Sequence, residues 1–309
     1  MRVLITGKCG QLACELEKSV PENVDIITFD SLKLDITNQA MVNEVLITHS
    51  PDIVINAAAY TAVDQAEVDK EAAHAVNENG SKYLALVCKE IDAQLIHIST
   101  DFVFDGTQTT PYQTHDKPNP INIYGESKLQ GETKIGQILG EQAIIIRTAW
   151  LYSVSGNNFV TTMLRLMAEK DQLSIVYDQV GTPTWAKGLA EMIWALVQAQ
   201  GTRNKNQDTL LCERALNFEP TILHWTDAGV ASWYDFAVAI QELALKKGLL
   251  DKAIPIRPIP ASSYPTLAKR PNFSVMDKVS AEMASGVETK HWMSQLSIMM
   301  DELKILRSK

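Results

Sequence analysis

Long apolar runs are missing from this 309-residue chain. No stretch approaches the roughly 18 apolar residues of a membrane-spanning helix. The N-terminus opens on a short strand-like run, so neither an anchor nor a signal peptide is expected. Cysteine is scarce: Cys9, Cys14, Cys88 and Cys212 show no CxxC spacing and form no disulfide framework, which fits a reducing cytoplasm. The six histidines make no HxxxH or HExxH pattern, and no metal site is expected. Positive charge is in deficit, with 28 Lys and Arg against 37 Asp and Glu and a formal net charge of −9. That balance argues against nucleic acid or an anionic membrane as partner. Any anionic ligand must be met by cations placed locally.

What is present suits a soluble enzyme: 46% apolar and 21% charged residues, in a chain long enough for one large domain or one and a half. Arg2–Thr6, Asp25–Phe29, Asp52–Asn56, Leu95–Ser99 and Ala143–Thr148 read as strands, with helical patterns between them. Such alternation demands a parallel sheet covered on both faces, a Rossmann-like doubly wound α/β fold. Beyond Trp150 the rhythm changes. Helices are expected over Asn157–Glu169, Ala186–Gln200, Ser232–Lys247 and near Thr289–Leu306, with strands at Ser174–Val176 and Thr221–Trp225. The expected organisation is a dinucleotide-binding domain over 1–150 that also receives segments from about 185–230. A smaller, discontinuous α/β substrate-binding domain would take about 151–184 and 231–309. Residues around Thr202–Pro220 read as an insertion.

The first strand runs into Gly7-Lys8-Cys9-Gly10-Gln11-Leu12-Ala13. Gly7 suits a tight turn, Gly10 lets a pyrophosphate approach the backbone at a helix N-terminus, and Ala13 lets helix pack on strand. The spacing is Gly-x-x-Gly-x-x-Ala, not Gly-x-Gly-x-x-Gly. Asp30, twenty residues after Gly10 and closing the second strand, can accept hydrogen bonds from ribose hydroxyls. A polar strand end is the plainer alternative. Ala57-Ala58-Ala59 after the third strand would let a flat ligand lie close, although an Ala-rich helix start looks the same.

The chemistry concentrates between Leu95 and Lys128. Thr100 ends a strand, and Tyr124 and Lys128 are four apart on a helix and share a face. Thr100 would hold a carbonyl oxygen and Tyr124 would deliver a proton, with Lys128 lowering the phenol's pKa. A surface aromatic is the competing reading of Tyr124. His97, inside its strand, reads as a satisfied core residue and not a base. Among the few local cations, Arg270 in Lys269-Arg270-Pro271 is the candidate for a diphosphate, because a guanidinium grips phosphate oxygens in a fork. An exposed basic turn is the alternative there.

Together these residues resemble the extended short-chain dehydrogenase/reductases. The resemblance runs over nearly the whole chain, through GKCGQLA at Gly7–Ala13, NAAAYTAVD at Asn56–Asp64, STDFVFDG at Ser99–Gly106 and YGESKLQGE at Tyr124–Glu132. It continues through RTAWLY at Arg147–Tyr152, GNNF at Gly156–Phe159, DQVGTPT at Asp178–Thr184 and SWYDFA at Ser232–Ala237. It implies that Gly10, Gln11, Leu12, Asp30, Asp35, Ile36, Ala59, Tyr60 and Thr61 line NADPH or NADH. It implies Tyr124 and Lys128 as the catalytic pair, with Lys128 also on the nicotinamide ribose, and Thr100, Asp101 and Trp150 against a sugar nucleotide. The implied reaction is reduction of the C4 ketone of a dTDP-4-keto-6-deoxy-hexose by a monomer or homodimer. Ala13 replaces a third glycine, and Phe102 stands where the family commonly has Tyr. Some members dimerise through magnesium; Glu15 matches one acidic position, but Lys187 stands where another carboxylate is expected. Two rivals remain: another nucleotide-sugar reductase or epimerase, and a silent binding subunit like the regulatory subunit of methionine adenosyltransferase. A binding role needs none of Thr100, Tyr124 and Lys128 together, which favours an enzyme.

Asp30 bears on cofactor choice. A carboxylate at the ribose repels a 2′-phosphate and only Lys33 is close enough in sequence to relieve it, whereas the resembled family frequently prefers NADPH. Dual use with a modest preference is expected from kcat/KM measured with each cofactor. A preference for NADPH of about a hundredfold would remove Asp30 from the ribose.

Overall fold

The computed structural model describes residues 1–201 and 219–307. The expected insertion lies almost wholly outside the described residues, as does Cys212. Six parallel strands form the central sheet: β1 (Arg2–Thr6), β2 (Asp25–Phe29), β3 (Ile53–Asn56), β4 (Gln94–Thr100), β5 (Ala143–Thr148) and β6 (Thr221–His224). Their order is β6-β5-β4-β3-β1-β2, with every neighbouring pair parallel. The chain reverses its direction of winding between β1 and β3, the crevice where ligands of such sheets sit.

Side chains alternate across this sheet with a period of two. Val3, Ile5, Ile53, Ile55, Ile96, Ile144 and Ile146 enter one core with helices Gln11–Lys18 and Ala186–Gly201. Leu4, Val54, Leu95, Ala143 and Ile145 enter the other, with helices Gln39–His49, Ser81–Glu90 and the C-terminal part of Ile123–Leu139. Burial on both faces explains why the strands read as near-continuous apolar runs. A separate apolar cluster joins Tyr152, Val160 and Met163 to Phe236, Ile240, Trp292 and Met299. Beside it, Leu173–Val176 pairs in parallel with Ile256–Ile259. No helix of the described residues is long and apolar enough to cross a membrane.

The helical segment leading into β4 is interrupted: it consists of Lys70–His74, a π-helical turn at Ala75–Gly80 and Ser81–Glu90. The widened turn carries Asn77 against helix Ile123–Leu139, where a side chain at Gly131 would collide with the Asn77 carbonyl.

Asp227 is buried just after β6 and accepts the Trp185 backbone N–H at 3.1 Å. Burial pushes its pKa up to about 8, against the pull of that N–H, Lys278 and Lys290. A carboxyl raised on folding holds a proton that the unfolded chain has already released. Its contribution is therefore full below the unfolded carboxylate range and is lost as pH rises towards about 8. Urea midpoints should fall between about pH 6 and about pH 8.5, and Asp227→Asn, whose amide oxygen still accepts the N–H, should flatten that fall. An unchanged slope in the variant would assign it to other groups.

Candidate active site

The glycine loop is a cradle in which neither Gly7 nor Gly10 has room for a side chain. Gly7 has φ +75°, and a Cβ there would lie 2.8 Å from the Ala58 nitrogen and 2.9 Å from Ala57. Gly10 donates its N–H to Gly7 O at 2.9 Å. Helix Gln11–Lys18 then begins without a side-chain cap, which leaves its first N–H groups for an anion. Leu12 and Ala13 are buried in the core, so Leu12 would meet a ligand through its backbone. Gln11 accepts from Asn158 Nδ2 at 3.1 Å. Asp30 stands immediately beyond β2, its Oδ1 fixed by the N–H groups of Leu32 and Lys33 at 3.1 and 3.0 Å. Asp35 accepts from Thr37, and Ile36 is buried against Gly80. Ala59, Tyr60 and Thr61 leave the end of β3, with the Tyr60 backbone held in both directions by the Asn77 amide at 2.9 and 3.1 Å. A tight cradle, an uncapped helix start and a carboxylate at the next strand end fit a dinucleotide.

Helix Ile123–Leu139 is capped by Asn122, whose Oδ1 accepts the Gly125 N–H at 2.8 Å. A Cβ on Gly125 would collide with the Phe102 carbonyl, so the helix can close on the turn after β4 only with glycine there. This brings Tyr124 beside Thr100, whose hydroxyl opposes the rise in the phenol's pKa. Thr100 Oγ1 also donates to Asp101 Oδ1 at 3.1 Å and accepts the Phe102 N–H at 3.2 Å. The Lys128 Nζ donates to Ile98 O at 2.6 Å and lies 3.3 Å from His97 Nε2.

The expected lowering of the phenol's pKa is therefore corrected. Burial pushes Tyr124 up to about 12, opposed by Thr100 and reinforced by Asp101, and Lys128 is not among the causes. Such a phenol is protonated at neutral pH, the state a proton donor needs. Burial lowers Lys128 to about 8, against Glu132. Asp101 lies behind Thr100, 2% exposed. Burial raises its carboxyl to about 6 against hydrogen bonds from Ser274 and Thr100, and its Oδ2 has no partner.

Trp150 has φ +46°, a backbone state that bulky residues rarely adopt. Its ring stacks on Trp233 at 3.5 Å and 8°, and a Cβ on Gly181 would press on it at 2.9 Å. Arg270 reaches the rim, where Asn122 Nδ2 holds the neighbouring Lys269 carbonyl at 2.8 Å. Its fork, however, grips the two Asp64 oxygens at 3.1 and 2.6 Å and holds that carboxyl below its ordinary range. Glu15 is buried and accepts from Ser153 at 2.6 Å, while Lys187 pairs with Glu302 at 2.7 Å. Among the described residues no cluster of His, Cys, Asp and Glu is arranged for a metal ion.

Sequence reasoning missed Asn77, the Trp233 platform and the buried pair Arg147–Glu132, 2.7 Å apart beneath the site. Arg147 had a signal: it is a cation closing an otherwise apolar strand.

A dinucleotide cradle beside a Thr, Tyr and Lys constellation defines an oxidoreductase of the short-chain dehydrogenase/reductase type. The chain belongs to the family described as RmlD substrate binding domain, whose model matches residues 1–305. It is 37% identical to the dTDP-4-dehydrorhamnose reductase of Aggregatibacter actinomycetemcomitans, over 96% of this chain and 97% of that protein. A dTDP-4-dehydrorhamnose reductase structure from Clostridium acetobutylicum superposes with a TM-score of 0.87 at 37% identity, covering 98% of this chain and 100% of the other. One from Bacillus anthracis, in complex with NADP, gives 0.85 at 33% identity, covering 97% and 99%.

Proposed function

We propose that this chain reduces the C4 ketone of dTDP-4-dehydro-6-deoxy-L-mannose to dTDP-L-rhamnose, using NADPH or NADH. The observation that carries the reading is the convergence of Thr100, Tyr124 and Lys128 at the end of β4, beside the glycine cradle. The names of the relatives support the substrate, and the NADP complex of one neighbour supports the cofactor. The same reading makes the chain a cytoplasmic monomer or homodimer with no nucleic-acid or membrane partner.

The nicotinamide, when bound, supplies the hydride for C4. Thr100 turns its hydroxyl from Asp101 to the ketone oxygen and fixes it. Tyr124 gives that oxygen its proton, and the phenolate left behind is reprotonated from solvent before the next turnover. Lys128 commits two directions of its Nζ to Ile98 and His97, and the remaining one serves a ribose hydroxyl. The cradle of Gly7 and Gly10, with Gln11 and Leu12 at the helix start, receives the pyrophosphate. Asp30 takes the adenosine ribose, and Asp35, Ile36, Ala59, Tyr60 and Thr61 flank the dinucleotide. On the substrate side, Trp150 braced by Trp233 offers an apolar plane to the sugar nucleotide, with Asp101 behind Thr100. Arg270 takes the diphosphate in exchange for Asp64. The apolar cluster around Tyr152 and Phe236 is the core of this substrate-binding lobe.

Incubation with the keto-sugar nucleotide should oxidise one NAD(P)H for each dTDP-L-rhamnose formed, and no oxidation would overturn the reading. Tyr124→Phe removes a proton and little volume. Its kcat should fall by about 10²–10⁴-fold with cofactor binding retained, and near-wild-type turnover would exclude Tyr124 as the acid. Arg270→Ala should raise KM for the sugar nucleotide far more than for the cofactor, by the equivalent of about 1.5–3 kcal/mol. Equal effects on both constants would move the diphosphate elsewhere.

A further inference from the structure

A polar row crosses the sheet at one level. Thr6 of β1 is in register with Asn56 of β3, and Asn56 with His97 of β4. All three are buried, at 1%, 1% and 0% exposure. Their preceding neighbours Ile5, Ile55 and Ile96 enter the opposite core, so strand alternation turns the row towards helix Ile123–Leu139. The side chains are linked: Thr6 Oγ1 to Asn56 Oδ1 at 2.7 Å, Asn56 Nδ2 to His97 Nδ1 at 3.0 Å, and His97 Nε2 to Lys128 Nζ at 3.3 Å. The Ala58 N–H, which borders Gly7, reaches Thr6 Oγ1 at 3.2 Å and Asn56 Oδ1 at 3.3 Å.

Donor and acceptor roles along this row can be worked out in order. Thr6 accepts from Ala58 and donates to the Asn56 oxygen. The Asn56 NH₂ therefore faces Nδ1, and an amide NH₂ can only donate. Nδ1 must accept, which puts the imidazole proton on Nε2, aimed at Lys128. An ammonium cannot accept that proton, whereas the lone pair of the free amine can.

On the reading that Lys128 is the partner of Tyr124, we propose that Thr6, Asn56 and His97 are positioning residues for it. The row holds the His97 imidazole as its Nε2–H tautomer, and this tautomer seats the Nζ and favours its amine form. His97 is thus neither a base nor a passive core residue. Burial and the nearby Lys128 keep the ring itself neutral by holding its pKa far below the usual value. The other charged group acting on Lys128 is Glu132 on its own helix, itself paired to Arg147 of β5. Glu132 acts in the opposite sense and favours the ammonium.

The test begins on the wild-type chain. Nitrogen-15 NMR of the labelled histidines should show one imidazole with a protonated Nε2 and a bare Nδ1, unchanged from about pH 5 to about pH 9. That resonance pattern should vanish in His97→Phe. A Nδ1–H tautomer at His97, or a ring that titrates in this range, would overturn the proposal even if no variant folds. Asn56→Asp presents only acceptors to Nδ1, forcing the proton there and leaving Nε2 to accept from the ammonium. The Lys128 ammonium should then titrate about one pH unit higher, read from the carbon-13 shift of its Cε. An unmoved titration in a folded variant would also overturn it. Wild-type turnover by Lys128→Met would instead remove the catalytic reading of Lys128, while the imidazole tautomer still reports on the row.

Discussion

A lysine nitrogen has to be kept inside this protein, and the site is built around how that is done. The Lys128 Nζ is buried under the end of β4 and bonded to Ile98 O at 2.6 Å. Removing such a group from water is costly unless its hydrogen bonds are replaced. Replacement requires helix Ile123–Leu139 to lie close to the turn after β4 and to its neighbour helix. Gly125 permits the first approach and Gly131 the second, because a Cβ at either position would strike a carbonyl. The π-helical turn at Ala75–Gly80 shares this cause, since it places the Asn77 carbonyl where Gly131 must pass.

The same closeness holds a polar layer between helix and sheet. Alongside the row ending at His97 lies a second network. Arg147 binds Glu132 through two nitrogens, at 3.0 and 2.7 Å, Ser99 donates to the same carboxylate, and the Arg147 guanidinium stands over the Phe104 ring. Breaking a buried pair strands a charge, so neither partner can be lost alone. Thr100 and Tyr124 are thereby mounted on a base with few alternative arrangements, which suits groups that must meet a substrate oxygen in a fixed geometry.

The sheet was legible because strands buried on both faces leave short, near-continuous β-branched runs with helical patterns between them. β1, β2 and β5 begin and end where those runs do. The glycine cradle was legible for a different reason, since Gly7 occupies a backbone state and a space that no other residue fills. Other features had no local signature. The i, i+4 spacing of Tyr124 and Lys128 places their Cβ atoms on one face, but a four-carbon stem lets the nitrogen travel, here to the Ile98 carbonyl. Arg270 was readable as a cation near the site, yet its partner Asp64 lies 206 residues away in sequence. The left-handed backbone of Trp150 is imposed by the turn beyond β5 and the stacked Trp233, neither of which sequence spacing reveals.

The edge strand β6 carries a consequence for how the molecule is made. It pairs with β5 through Thr221↔Ile144 to His224↔Arg147, so the sheet bearing the site is completed by a strand more than seventy positions downstream. Between the two, the chain has already contributed to the separate cluster around Tyr152 and Met163. On a ribosome, where the N-terminal part emerges first, β5 must therefore wait with an open edge while much of that cluster is synthesised. Parallel pairings of this sequence separation form slowly and leave unpaired strand edges exposed in the meantime. Assembly is thus interleaved in time: the sheet that carries the candidate site cannot close until the cluster around Tyr152 and Met163 is under way.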